Sequence, residues 1–276
     1  DRTTTIGGLI LTDKNEDTNC VTNANFYTMV EIIVIVIGDF SLRNERDITI
    51  EKDNSPLQPG NYYIHTPQPF QLSNELVLCR ALSLQTGTRV QAFRDTVRLR
   101  DRRCVVTGME YLDDDNWLGF EAAHIFPLAF EQYWPDYNYG RWISIIPDTK
   151  GTINSVQNGL LLRGDIHQLF DFYAFSINPD DNYKVVCFTR DKDGIAGKHL
   201  DQRLLDDPQR PVDQLLRWHF RQAVLTNMKG AGEPQFEHDF RPGSDMIGSI
   251  LKGPKVAERM EFELFNRLAV EVDLTQ

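Results

Sequence analysis

An α+β fold is predicted by three observations: a β-rich first third, a helical last third, and between them short apolar strands followed by a helix. The 276 residues, 41% hydrophobic and 25% charged, suffice for a sizeable core without crosslinks. Within residues 1–88 the strand-like segments are Thr3 to Thr12, the Tyr27 to Ile37 run, Asp47 to Glu51 with alternating Ile, and Asn61 to His65 after the turn sequence Pro56-Leu-Gln-Pro-Gly60. The Tyr27 to Ile37 run reads as a buried strand or a short buried helix, because periodicity does not separate the two over so few residues. Next comes an arginine-rich segment in which Val90, Phe93 and Val97 form a helical stripe. Cys104 to Val106 and Phe120 to Ile125 read as short strands, and Ile166 to Phe172 as helical. Pro211 to Met228 is a helix that opens on Pro and ends before Gly230. A second helix is expected from about Pro254 to Val270, with Val256, Met260, Leu264 and Leu268 on one face. Between these helices Gly230-Ala-Gly-Glu-Pro and Phe240-Arg-Pro-Gly-Ser-Asp are turn-rich and form a candidate binding loop. The expected division is 1–88, a β-rich region; 89–190, the domain that carries the chemistry; and 191–276, a helical region.

The net charge of -11 argues against a chain that holds nucleic acid by bulk charge, since phosphate binding rests on clustered Lys and Arg. Only residues 89–103 are basic, at +4, and there Arg98, Arg100, Arg102 and Arg103 are the candidate phosphate contacts. The competing reading is a solvated helix whose arginines pair with the acidic remainder, of which residues 104–174 alone carry -7. The most apolar run, Met29 to Ile37, is far shorter than the roughly 20 residues of a membrane span and contains Glu31, so no membrane partner is expected. Cys20, Cys79, Cys104 and Cys187 form no C-x-x-C pair, which suits reduced thiols and an intracellular location, cytoplasm or nucleus.

The chemistry gathers in the middle of the chain. His167 and Asp171 stand four apart on a predicted helix, so both project from one face and suit a divalent cation, with Asp165 a further candidate. His124 falls at a strand end just before Pro127, and an imidazole there is a natural base for activating water. Tyr133, Trp134, Tyr137, Tyr139 and Trp142 crowd the loop between base and helix, either to pack it or to stack on a flat ligand.

The motifs Cys104-Val-Val-Thr-Gly, Glu121-Ala-Ala-His-Ile, Asn158-Gly-Leu-Leu-Leu and His167-Gln-Leu-Phe-Asp resemble the HNH endonuclease family, in particular the HNH-domain proteins predicted in filamentous fungi. The resemblance implies a ββα-metal core within the α+β chain. It implies that His124 is the general base, Asn158 the bracing amide, and His167 with Asp171 the holders of one divalent metal ion. Mg2+ or Mn2+ is expected, with Zn2+ or Ni2+ as alternatives.

The function so implied is metal-dependent hydrolysis of DNA phosphodiester bonds, with the DNA backbone as partner. Two departures from the family stand out. Many members carry Asp or His immediately before the base as a metal ligand, and this chain has Ala123. The paired cysteines of a structural zinc are also missing, with Cys104 and Thr107 at one such pair's place. The alternative reading is therefore an HNH fold turned to a small-molecule substrate or to non-catalytic binding.

Overall fold

The computed structural model describes residues 5–9, 21–75, 77–78, 91–111, 117–148 and 151–229. Cys20, Cys79, Arg89, Val90, residues 112–116, half of Thr3 to Thr12, both turn-rich segments after Lys229 and the helix expected near Pro254 to Val270 lie outside them.

The first element is α1 (Asn23–Ile33), the helical alternative for the apolar run. Thr22 accepts from the Asn25 backbone N–H, and the Asn25 side chain accepts from that of Thr22, both at 3.2 Å. This reciprocal cap satisfies amides that a helix start leaves open. It turns most of the apolar run that was read within a β-rich region into a helix burying Met29, Val30, Ile32 and Ile33. The run then extends as β1 (Val34–Val36) and pairs antiparallel with β4 (Phe70–Leu72). A second ribbon joins β2 (Ser41–Asn44) to β3 (Tyr62–His65). The Asp47 to Glu51 strand does not form, because the Asn44 side chain accepts from the N–H groups of Arg46 and Ile48 and turns the chain, leaving one isolated bridge at Thr49.

The next elements are α2 (Gln91–Asp101), β5 (Phe120–His124), a short α3 (Tyr133–Asp136), β6 (Gly159–Arg163) and α4 (Gly164–Asp171). The expected Cys104 to Val106 strand is instead a tight knuckle. Gly108, at φ +77°, donates to the Cys104 carbonyl, and Val105 donates to Leu161 on β6. The two strands of the ββα unit are thus β5 and β6, antiparallel, with His124 opposite Gly159 and Phe120 opposite Arg163.

Both faces of this ribbon are covered. Ala123, Leu160 and Leu162 pack with Ile166 and Phe170 of α4, whereas Ala122 and Leu161 pack with Phe93 and Val97 of α2. Each of the three leucines is fully buried, which stabilises the fold by about 1.5–3 kcal/mol apiece. Gly159 permits the close approach of α2, since a Cβ there would lie 2.6 Å from Val97 and 2.7 Å from Phe93.

A last ribbon, β7 (Phe175–Asn178) with β8 (Lys184–Cys187), and the short α5 (Gln202–Leu205) lead to α6 (Asp213–Asn227), the helix that Pro211 announces. Leu215, Leu216 and Trp218 of α6 join the core around the ββα unit, while Phe220, Ala223, Val224 and Leu225 join the core around α1. No helix among the described residues is long and apolar enough to cross a membrane.

Candidate active site

Strand alternation places His124 and Glu121 on opposite faces of β5. His124 lies on the α2 face, where its ring stacks on Phe93 with centroids 3.8 Å apart and planes 15° apart. Its Nε2 stands 3.2 Å from Oδ1 of Asn154, a largely buried residue of the loop that precedes β6. An amide oxygen at Nε2 suits a hydrogen on that nitrogen.

Asn158 is fully buried immediately before β6 and holds the chain where β5 ends. Its Oδ1 accepts from the Phe126 backbone N–H at 2.8 Å, and its Nδ2 donates to the carbonyls of Phe126 and Ile153. The Asn158 carbonyl also accepts from the Ile125 N–H, so the residues that follow His124 are pinned on both sides. A buried amide with its polar atoms so engaged is costly to replace.

On the other face, His167 is largely buried between two carboxylates. Nδ1 lies 2.5 Å from Glu121 Oε2 and Nε2 3.2 Å from Asp171 Oδ2. The spacing of four within α4 places Asp171 as expected, whereas Glu121 comes from a strand 46 positions away in sequence. Ala123, on the same side of β5 as Glu121, is fully buried and has no ligating atom. Asp165 does not join the cluster. Both its oxygens face Arg163, which also binds Asp193, and the guanidinium holds the Asp165 carboxyl below the usual carboxylate range. Among the described residues no group of three or more His, Cys, Asp and Glu side chains is arranged to hold a metal ion.

The four arginines part company. Arg100 is a correction: its side chain has no exposure, so it cannot reach a phosphate. Its guanidinium forms a bidentate pair with Asp101, equally buried, and donates to the carbonyls of Val156, Gln209 and Gly159 at 2.7–2.9 Å. Asp101 in turn accepts from the Leu161 N–H at 2.8 Å, so this pair fastens α2 to the start of β6. Arg103 is partly covered and lies 2.9 Å from Glu110. Arg98 lies over the Trp117 ring at 4.9 Å. Arg102, in the left-handed region just past the end of α2, is exposed.

The aromatic loop is mostly packing. Trp134 is buried, donates its indole N–H to Thr152, and with Tyr139 and Trp218 surrounds Phe126. Cys104 and Cys187 are both buried. His219 and Trp218 are core residues, as their place on an apolar face implies. His219 lies between Ser176 Oγ and the Phe170 carbonyl and stacks on Phe170, and burial pushes its pKa down to about 3.

Sequence reasoning missed Glu121 as a partner of His167, and Asn154 and Phe93 as partners of His124. A signal for Glu121 was present: two residues before Ala123 on a strand, it shares the face on which a metal ligand is often found. Asn154 offered no such signal, because its approach depends on the path of the long loop.

Neither a search of curated proteins nor one of solved structures finds a match. A family model described as a domain of unknown function (DUF8573) matches residues 1–71, which hold α1, β1, β2, β3 and most of β4. A second model, described as HNH endonuclease, matches residues 104–178, from the Cys104 knuckle through the ribbon and α4 to the end of β7. With the ribbon, the helix and the three motif residues all inside that match, residues 104–178 carry an HNH domain within an α+β chain.

Proposed function

We propose that this protein is a metal-dependent endonuclease that hydrolyses DNA phosphodiester bonds with His124 as general base. The observation that carries the reading is the His167–Asp171 pair. Two donors each about 2.1 Å from a divalent ion and at right angles stand about 3 Å apart. The 3.2 Å between Nε2 and Oδ2 suits that arrangement. One imidazole and one carboxylate suit a hard ion such as Mg2+ or Mn2+, which keeps waters and accepts phosphate oxygens, better than they suit a closed zinc site. When bound, the ion supplies positive charge beside a phosphorane transition state and a departing 3′-alkoxide.

The remaining work belongs to the chain. In this scheme the scissile phosphodiester is met by His124 from the α2 face of β5 and by the His167–Asp171 pair from the α4 face. With its Nε2 beside Asn154 and its ring stacked on Phe93, His124 takes a proton from the attacking water. Asn158 fixes the backbone after His124 and touches no reacting atom in this scheme. Arg102, with Arg98 and Arg103 beside it, contributes backbone contacts that position DNA without reading its sequence.

Plasmid nicking measured with Mg2+, Mn2+, Ni2+ and Zn2+ tests the proposal. The wild type is expected to nick supercoiled DNA, and His124→Ala to lose about 10²–10⁴ in rate while keeping its Mn2+ affinity. His167→Ala is expected to lose both. Cleavage by His124→Ala at the wild-type rate would falsify the assignment of the base. Turnover of a small phosphodiester without any DNA cleavage would move the protein to a small-molecule class.

A further inference from the structure

An imidazole presents its two nitrogens on diverging edges, and in the neutral ring only one carries hydrogen. In His167 one edge is taken by Glu121 and the other by Asp171, at 2.5 Å and 3.2 Å. The shorter contact belongs to Nδ1, where the Glu121 carboxylate is placed to accept a hydrogen. Nε2 and the Asp171 oxygen are then the two atoms on the far edge that a cation would share.

We propose that Glu121 is a positioning residue for a divalent cation held by His167 and Asp171: its carboxylate holds the Nδ1 hydrogen of His167 and thereby presents Nε2 to the ion. The inference rests on the reading of His167 and Asp171 as the metal's donors and adds to it a residue from another element.

Three observations support it. Glu121 reaches the edge of the ring that points away from Asp171, so an ion on Nε2 stays out of its reach and its contribution passes through the ring. His167 is largely buried, with its orientation set by contacts rather than by solvent. Ala123, on the same face of β5, leaves the ion without a donor from this strand, and a carboxylate behind the histidine offsets that loss by making the remaining nitrogen ligand more basic.

The test uses the full chain and two metals. Mn2+ affinity, read by the electron paramagnetic resonance of the free ion, is expected to fall about tenfold to a hundredfold in Glu121→Ala. In Glu121→Gln, whose amide oxygen still accepts from Nδ1, the loss should be smaller. With Co2+ bound, proton NMR of the wild type should show a hyperfine-shifted, exchangeable imidazole N–H. Loss of Glu121 should broaden it by exposing it to water, and Gln should restore it. A residue that merely supports the fold would lower the melting temperature and leave both readouts alone, and that result overturns the proposal. If His167→Ala loses Mn2+ while Glu121→Ala binds it as tightly as the wild type, the role of Glu121 is wrong and the metal site stands. If His167→Ala binds Mn2+ unchanged, the metal site itself is wrong and the role of Glu121 falls with it.

Discussion

Helices α2 and α4 cover opposite faces of one two-stranded ribbon, yet their polar side chains have opposite fates. On α2 the charged pair Arg100–Asp101 points inward and binds backbone groups of the loop and strand around Asn158. On α4 the polar pair His167–Asp171 remains at the edge of the core, facing a carboxylate from β5. The difference teaches that a basic segment beside a nuclease motif need not be a nucleic-acid grip. A chain can use arginine to seal a helix onto the ribbon that carries its candidate base, His124.

The strongest way to break this comparison is to treat Arg100 as though it were a surface residue. Arg100→Gln leaves Asp101 buried without its partner, and the expected loss is about 3–5 kcal/mol in urea unfolding. A variant as stable as the wild type would show that the pair does not fasten α2. The salt dependence of DNA binding should not change in molecules that remain folded.

A second test strikes the α4 side from behind. His219 stacks on Phe170 of α4 and is held neutral in the fold, its pKa lowered by burial to about 3. The unfolded chain binds a proton at this residue below about pH 6.5 and the folded chain does not. Stability from this group is therefore complete above pH 6.5. It declines as pH falls toward 3, by about 1.4 kcal/mol per pH unit in that window. His219→Gln should flatten that decline, and an unchanged pH profile would remove His219 from the account.

The smallest effect is expected at Arg102, the one member of the four arginines that is exposed. Arg102→Gln should reduce the slope of log affinity against log salt on duplex DNA by about 0.9, with little change in preference among sequences. The measurement belongs in the non-cleaving His124→Ala background. A slope identical to that of the parent would mean that Arg102 meets no phosphate. No DNA binding even at low salt would remove the nuclease reading.

Much of the candidate site was legible in the sequence. His124, Asn158 and His167 stood out by motif and spacing, and the helical interval between His167 and Asp171 is kept in α4. The uninterrupted Leu160-Leu161-Leu162 also carried information, because a strand with leucine on both faces is covered on both faces. It does not say which elements supply the cover. The N-terminal helix was less legible, since a run of Ile and Val favours a strand by propensity and only the Thr22–Asn25 cap tips it.

By itself the sequence determined the periodicities: which residues share a helix face, where strands alternate, and which three side chains belong to a known motif. The tertiary structure alone decided which element covers each face. Asn154 meets His124 across 30 positions and Glu121 meets His167 across 46, contacts that depend on how a long loop and a ribbon fold back. Arg100 was beyond reach for the same reason, since its acceptors are carbonyls 56, 59 and 109 residues away. Local spacing sets the direction of a side chain relative to its own element. Packing between distant elements decides whether that direction is water, core or substrate.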